Sequence, residues 1–496
     1  MKSINDFIES EGSQFPGKTY VEELLKPVFN DQRDYLFDVM FDIHRAHVIM
    51  LSEQKIIPIT EARKMLAGIN KIAKTDYQSL TYQPEYEDLF FMMEAKIGEE
   101  IGPELAGKIH IGRSRNDMGV AMYRLVLREH LVTTIENAYR LSEVLLFQAD
   151  QHLETYMTGY THTQPAQPTT LGHYLLAIYD VLQRDIKRLE SAYQTVNQSP
   201  LGAAALTTTG FPISRERTCE LLGFDQVIEN SYDSIASADY LLETSTALIT
   251  LMVNTGRWIQ DFLQHVTREF GSFLVADPYV QVSSIMPQKR NPVSIEHSRS
   301  IASSAYGEAL AAINMIHNTP FGDIVDTEDD LQPHLYRAFN NANRVLKLMY
   351  AVITTLRVNK DHLKKMTERS CITITELADT LAREYNISFR KSHKIASYLS
   401  TQTIQAKKEL KDWEIQDINH MINHFVDATL TSKQWKKIIS PEYFVRIRNI
   451  QGGPNPQEVK RMILQREEQL AHSKWNAQQI KAKLNKNKEH LVTYQL

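Results

Sequence analysis

An all-α fold built on a long helical bundle is predicted for this chain, and three observations predict it. Glycine and proline are scarce, 19 and 17 in 496 residues, so few positions interrupt a helix. Four stretches repeat apolar residues at helical spacing: residues 118–157, 171–196, 240–273 and 292–316. Segments that could form strands are short and isolated.

In the first stretch Val120, Tyr123, Leu127, Leu131, Ile135, Ala138, Leu141 and Leu145 recur every three or four residues. The second sets Asp185, Lys187, Arg188 and Glu190 against its apolar stripe. Helices of roughly 20 residues exceed the usual mean of about 11–12. Helices that long do not bury themselves against one small core, which predicts an extended bundle completed by other subunits.

A chain of 496 residues is long enough for two or three domains. Gly102-Pro103-Glu104 closes a first helical unit at residues 1–108, and the long helices occupy 109–360. Shorter segments fill 361–496, where Gly452-Gly453-Pro454-Asn455-Pro456 precedes a lysine-rich terminal helix. The basic run at 481–488 reads as a solvated helix face.

Composition narrows the function. A net charge of −5 supplies no basic footprint for nucleic acid. No apolar run approaches the roughly 20 residues that span a bilayer. The segment MKSINDFIESEG lacks the apolar core of a signal peptide, so a cytoplasmic protein is expected. Cys219 and Cys371 read as reduced thiols. His420 and His424 stand one helical turn apart without a third ligand and read as a surface pair, and no Cys cluster appears, so no metal site is expected.

Three polar islands between the long helices are not explained by packing. The first, His110-Ile111-Gly112-Arg113-Ser114-Arg115-Asn116-Asp117, places two guanidinium groups, a hydroxyl and an amide just before a helix. Arginine matches carboxylates bidentately and a helix N-terminus adds N–H donors, so a substrate carboxylate would be held well here. The same residues also suit an ordinary N-cap with surface arginines. The second, Gly159-Tyr160-Thr161-His162-Thr163-Gln164-Pro165-Ala166-Gln167-Pro168-Thr169-Thr170, sets a histidine among hydroxyls and amides in a loop stiffened by two prolines. It suits proton transfer or a structural role, with His173 on the following helix. The third, Val282-Ser283-Ser284-Ile285-Met286-Pro287-Gln288-Lys289-Arg290-Asn291-Pro292, is a loop leading into the next helix. It is neither a phosphate-cradling loop nor a nucleophile elbow. A serine near a lysine is a candidate nucleophile or base, or simply part of a polar loop.

In this order and at these intervals, the islands resemble the signatures of the fumarase/aspartase superfamily. Residues 283–292 match its motif G-S-S-x-M-P-x-K-x-N-P, with Val282 in place of the usual glycine. The first island is similar to the argininosuccinate lyase form G-R-S-R-N-D, and the second to G-Y-T-H-x-Q-x-A-Q-P. Leu201-Gly202 with residues 211–217 and 221–224 resembles the family's P-L-G … F-P-x-x-R-E … L-G-F. Residues 375–396, with Leu377-Ala378-Asp379 and Phe389-Arg390-Lys391-Ser392-His393, are similar to its C-terminal domain. The resemblance covers most of the chain. It implies an all-α subunit of three domains and a homotetramer whose active sites combine islands from three subunits.

It also implies a carbon–nitrogen lyase that releases fumarate from an N-substituted aspartate, with argininosuccinate the leading substrate. By resemblance Ser283 is the general base, helped by nearby N–H groups and Lys289. Lys289 and Asn291, with Ser114, Arg115, Asn116 and Thr161, hold a carboxylate of the succinyl half, and fixed donors stabilise the enolate-like intermediate. His162 protonates the departing nitrogen, and Glu296, four residues after Pro292, orients the imidazole and raises its pKa.

The chain departs from the family on the amine side. The opening L-W-G-G-R-F is absent, His44 stands where a substrate-facing serine is expected, and Glu87-Asp88-Leu89-Phe90 replaces E-D-x-H. The motif Y-N-x-D-L-Q-E-D-K holds the arginine end in the family. Anchored on Glu328-Asp329, this chain offers Gly322, Thr327 and Asp330 at its Tyr, Gln and Lys positions, with Gln332 nearby. Losing partners of a buried polar atom costs more specificity than losing a methylene. An amine half other than arginine is therefore an open expectation, including an aminopolycarboxylate such as ethylenediamine-disuccinate. A non-catalytic crystallin-like homologue and a C–O lyase such as fumarase are further readings. Intact Ser283, Lys289, His162 and Glu296 argue against the first, and the G-R-S-R-N-D and T-H-T-Q strings against the second.

Overall fold

Helices α1 (Phe37–Glu53) and α2 (Leu89–Ile101) lead into the central element, α3 (Arg115–Gln151), which is 37 residues long. The computed structural model describes residues 4–496, so the first three residues of the N-terminal segment lie outside it. At 1.5 Å per residue, α3 spans about 55 Å. Ser114 starts it from an extended backbone, φ −130° and ψ 164°, in a capping box with Asp117. Residues 120–128 are buried without a break, as expected of a helix enclosed on every side by its bundle.

The chain then doubles back through a hairpin, β1 (Tyr156–Thr161) and β2 (Gln164–Thr170), into α4 (Leu171–Val196) and α5 (Asp239–His265). Two short strands, β3 (Gln281–Val282) and β4 (Arg290–Asn291), precede α6 (Val293–Ile316) and α7 (Gln332–Thr355). Consecutive long helices pack against one another, and α7 closes back onto α3. Their directions alternate. Arg124, near the start of α3, donates to Thr195 O at the end of α4 (2.8 Å) and lies over the Tyr240 ring at the start of α5 (4.0 Å). Gln148, near the end of α3, donates to Ile353 O near the end of α7 (3.1 Å). Ala302, Ala305, Ala309 and Ala312 form a buried seam along α6, and their small side chains let α5 and α7 approach closely.

The molecule is mostly helical, and its strands form only two-stranded pairs among the described residues. A second, smaller core includes Leu377, Leu381, Ile395, Leu399, Ile418 and Trp435, on α8 (Thr375–Tyr385), α9 (Phe389–Gln405) and the segments that follow. The terminal helix, grouped with that unit in the sequence, leaves it. Helix α10 (Pro456–Thr493) runs back along α3 and buries Val459, Met462, Ile463 and Leu470 in the main core. Lys460 meets Asp150 (2.6 Å) and Lys481 meets Glu136 (2.7 Å), so the solvent-facing basic side of the helix also carries ion pairs to α3. Cys219 and Cys371 are free and buried, and no described helix is long and apolar enough to cross a membrane.

Asp117 ties the start of α3 to the chain ahead of α5. Its buried carboxylate accepts N–H from Ser114 (3.0 Å), Gly202 (2.9 Å) and Ala204 (3.0 Å). Burial nonetheless pushes this carboxyl up to about 6, against the pull of those three donors and Arg113. Asp117→Ala leaves the donors unpaired and should cost about 3 kcal/mol of unfolding free energy, read from urea denaturation. A loss below about 0.5 kcal/mol, the ordinary range of a surface change, would show that the carboxylate does not hold this junction.

Candidate active site

At the start of α3, Ser114 Oγ donates to Asn116 Oδ1 (2.7 Å). Arg115 points outward, pairs with Asp88 (3.1 Å) and Glu87 (3.4 Å), and rests on the Phe91 ring (4.8 Å). Arg113 turns the other way. Its side chain is 1% exposed, 3.9 Å from Glu94 on α2 and 3.1 Å from His44 Nδ1 on α1. The sequence reading counted both guanidinium groups as available, but the first is consumed in joining α1 to α2. Burial, then the Arg113 charge, hold His44 and His47 neutral, the latter at about 3. His44, which stands where the family places a substrate-facing serine, is fully buried and stacks on Phe90 at 6.1 Å. The two departures from the family pattern are thus neighbours in one packed stack.

The segment between α6 and α7 folds over this helix start. Asp323 accepts a hydrogen bond from the Asn116 amide, and Asp329 accepts from Gln32 Nε2 (3.2 Å) and the Tyr123 hydroxyl (3.3 Å). Burial, then the neighbouring Asp323 carboxylate, push Glu328 well above the carboxylate range. Burial likewise raises Asp88 and Asp329. Gly322, Thr327 and Asp330 belong to this same segment.

The second island is a hairpin tip rather than an open loop. Thr161 pairs with Gln164, so His162 and Thr163 make the turn with φ of 50° and 63°. Tight two-residue turns of this kind favour Asn and Gly, and a β-branched residue is strained there. Thr163 Oγ1 donates to His162 O (2.6 Å) across the tip. Pro165 and Pro168 fit because a two-stranded ribbon leaves each strand an unpaired edge. His173 clamps the base, one ring nitrogen to Thr169 Oγ1 (2.9 Å) and the other to Gly452 O (3.1 Å). Thr161 and His162 are exposed.

In the third island the β3–β4 ladder pinches residues 283–289 into a loop. Ser283 Oγ accepts N–H from Ile285 (3.3 Å) and from Met286 (3.0 Å). Two donors converging on one hydroxyl oxygen favour its anion. Lys289 closes the loop through its backbone, donating to Met286 O (2.9 Å) and accepting from Ser283 N (3.4 Å), and its ammonium is exposed. Arg290 anchors the loop on Asp277 (2.6 Å) and Val275 O (3.0 Å). Asn291 is half-buried, and Glu296 is exposed in the first turn of α6.

The hairpin and the Ser283 loop occupy one end of the bundle, where Tyr160 meets Phe270 (5.7 Å). Ser114, Arg115 and Asn116 occupy the other. Helix α3, 37 residues, separates His162 from Arg115 by about 55 Å. Helix α6, 24 residues, separates the Ser283 loop from Asp323 by about 36 Å. Within one chain His162 makes no hydrogen bond to Glu296, so the expected pair is not formed there. Tyr123 and Gln32 had no functional signal in the sequence, whereas Asp88 stood in the altered E-D-x-H string and Asp323 in the altered Y-N-x-D-L-Q-E-D-K string. No group of three or more His, Cys, Asp or Glu among the described residues is arranged to hold a metal.

The profile of a family described as lyase matches residues 39–307, and that of the argininosuccinate lyase C-terminal region matches residues 371–446. The chain is 39% identical over 455 residues to argininosuccinate lyase 2 of Agrobacterium fabrum, covering 91% of this chain and 90% of that one. It is 35% identical over 466 residues to the argininosuccinate lyase of Methanocaldococcus jannaschii, covering 94% and 95%. Its backbone follows that of EDDS lyase in complex with formate with a TM-score of 0.84 at 30% identity, over 94% of this chain and 93% of that one. Class II fumarase from Schistosoma mansoni, 16% identical over 83% of this chain and 90% of that one, with a TM-score of 0.66, shares the fold.

The carboxyl pair beside Asn116 yields a direct test. Asp323→Asn removes a charge that disfavours ionised Glu328, so the Glu328 pKa should fall while burial still keeps it raised. Carboxyl-carbon NMR titration reads the change, and an unmoved Glu328 would separate the two residues.

Proposed function

Because the chain belongs to the argininosuccinate lyase family of the fumarase/aspartase superfamily, we propose that it is a carbon–nitrogen lyase eliminating fumarate from an N-substituted aspartate, with argininosuccinate, yielding arginine, as the leading substrate. The observation that carries this reading is the Ser283 hydroxyl held by two backbone N–H groups in the Lys289 loop. A serine is a poor base at neutral pH, and those donors with a nearby ammonium lower the cost of its alkoxide.

Ser283 takes the proton from the carbon beside a carboxylate, leaving an enolate-like dianion. Lys289, Asn291, Thr161, Ser114, Arg115 and Asn116 hold the succinyl carboxylates and stabilise that charge. The electron pair then forms the C=C bond of fumarate as the C–N bond breaks. His162, oriented by Glu296, gives its proton to the departing nitrogen. No metal or cofactor has a part in this sequence.

Homotetramer formation belongs to the same proposal, and the bundle's length supports it. Islands about 55 Å apart along one rigid helix meet only when antiparallel copies bring opposite ends together. A groove of about 780 Å³ along α4, α5 and α6, lined by Ile178, Val253, Trp258, Ala302 and Tyr306, offers a face for such a copy. The cytoplasmic placement expected from the sequence is part of this reading. The likeness to EDDS lyase favours an aminopolycarboxylate as the second substrate reading.

Ultraviolet absorbance of fumarate tests the activity, and silence with every N-substituted aspartate would sink it, whereas any turnover excludes the crystallin-like alternative. Ser283→Ala should lower kcat by about 10³-fold or more with oligomeric state unchanged, and a fully active variant would remove Ser283 as base. His162→Asn and Arg115→Ala should each be inactive alone, yet regain turnover when refolded together, because mixed tetramers rebuild intact sites. Absence of rescue would count against sites shared between subunits.

A further inference from the structure

The loop that carries Ser283 stands off the body of the molecule. From 281 to 290 its residues are exposed except Ser283, which is half-buried. Its own backbone gives it shape: Val282 pairs with Arg290, Ser283 N donates to Lys289 O (3.4 Å), and Lys289 N donates to Met286 O (2.9 Å). These bonds are internal, so they fix the form of the loop and not its place. Arg290 supplies the place. Its Nη1 meets Asp277 Oδ1 (2.6 Å), and its Nη2 donates to the carbonyl of buried Val275 (3.0 Å). Among the described residues, no other side chain from 281–291 makes a hydrogen bond or ion pair outside the loop.

The ground that Arg290 grips is itself fixed. Val275 follows Phe273 and Leu274, which pair with Val358 and Arg357. Ser294 Oγ, in the first turn of α6, donates to Tyr279 O (2.9 Å). Residues 275–279 are thereby held at both ends. The Arg290 hydrogen bond and charge, then the Arg357 charge, keep the Asp277 carboxyl below its usual range. Successive side chains of a strand point to opposite faces, so turning Arg290 toward Asp277 aims Asn291 the other way.

We propose that Arg290 is the positioning residue of the Ser283 loop: its hold on Asp277 and Val275 O keeps Ser283, with the two N–H groups that cradle it, where substrate is met. The inference rests on the lyase reading above, in which Ser283 is the base, and names the residue through which that base is held. Adjacent cations divide the work. Lys289 presents its ammonium to substrate, and Arg290 spends its guanidinium on the protein. A planar fork that reaches two acceptors at once suits anchoring, whereas a flexible ammonium suits binding.

The test measures kcat, KM and the pH dependence of kcat for fumarate release by the full chain. Arg290→Met and Asp277→Asn should each lower kcat about tenfold or more with KM within about threefold, because a base displaced by about 1 Å loses rate rather than binding. Arg290→Lys, which keeps the ion pair, should regain most of the kcat that Arg290→Met loses. An exposed pair adds little to global stability, so both variants should keep the native melting temperature and oligomeric state. The pH profile separates position from charge. Ser283 acts as a base, so kcat rises with pH through its ionisation. A loosened cradle disfavours the alkoxide, which moves that rise to higher pH in Asp277→Asn. Loss of the Asp277 charge acting only through space would move it to lower pH, because an anion nearby disfavours a second one. A rise displaced to lower pH, kcat unchanged in both variants, or KM raised with kcat intact overturns the inference alone. Native protein that releases fumarate from no N-substituted aspartate overturns the lyase reading and this inference with it.

Discussion

Asp117 holds three backbone N–H groups from two separate stretches of chain, and the direction of α3 follows from that junction. A buried carboxylate with three donors is costly to create and more costly to break, because each donor would be left without water or partner. It sets Ser114 as the N-cap and so aims Arg115 and Asn116 away from the core. Since α3 continues unbroken for 37 residues, the same junction also determines where the hairpin at its far end lies. One local interaction thereby governs the placement of groups about 55 Å apart.

The three islands are prepared by three different physical devices. A helix start exposes donors at the first, a strained turn displays His162 at the second, and converging backbone N–H groups cradle Ser283 at the third. Each device works through the backbone, so each side chain is positioned before any ligand arrives. The hairpin is braced from behind by His173 and Gly452, which ties the tip to the loop preceding α10. Rigid supports under exposed tips suit groups that must meet a partner surface in register.

Charge is distributed unevenly between the two ends. The Ser283 loop carries Lys289 and Arg290, whereas the segment over Asn116 carries Asp323, Glu328, Asp329 and Asp330. Bringing opposite ends together, as the proposed tetramer does, places cations beside this acidic segment. The raised Asp88, Asp329 and Glu328 reflect what the isolated end lacks: burial has removed water without supplying enough positive charge.

Much of this was legible in the chain itself. Apolar spacing located the long helices because a helix face repeats every 3.6 residues whatever it packs against. Motif order, through its resemblance to the family, singled out Ser283, His162, Glu296 and the Ser114–Asn116 run as the groups proposed to react. Other features depended on what lies across space. Arg113 and Arg115 are equivalent on paper, yet only the helices α1 and α2 decide that the first is buried. His44 and Phe90 look like two independent losses until their rings are seen stacked. The contact of Asn116 with Asp323 joins residues 207 positions apart. Helical period and motif spacing are properties of neighbours along the chain, so the sequence by itself determined the class of fold and the family, and named the groups proposed to react. Side-chain direction, charge pairing and the return of α10 to α3 depend on which surfaces face each other, so only the tertiary structure decided them.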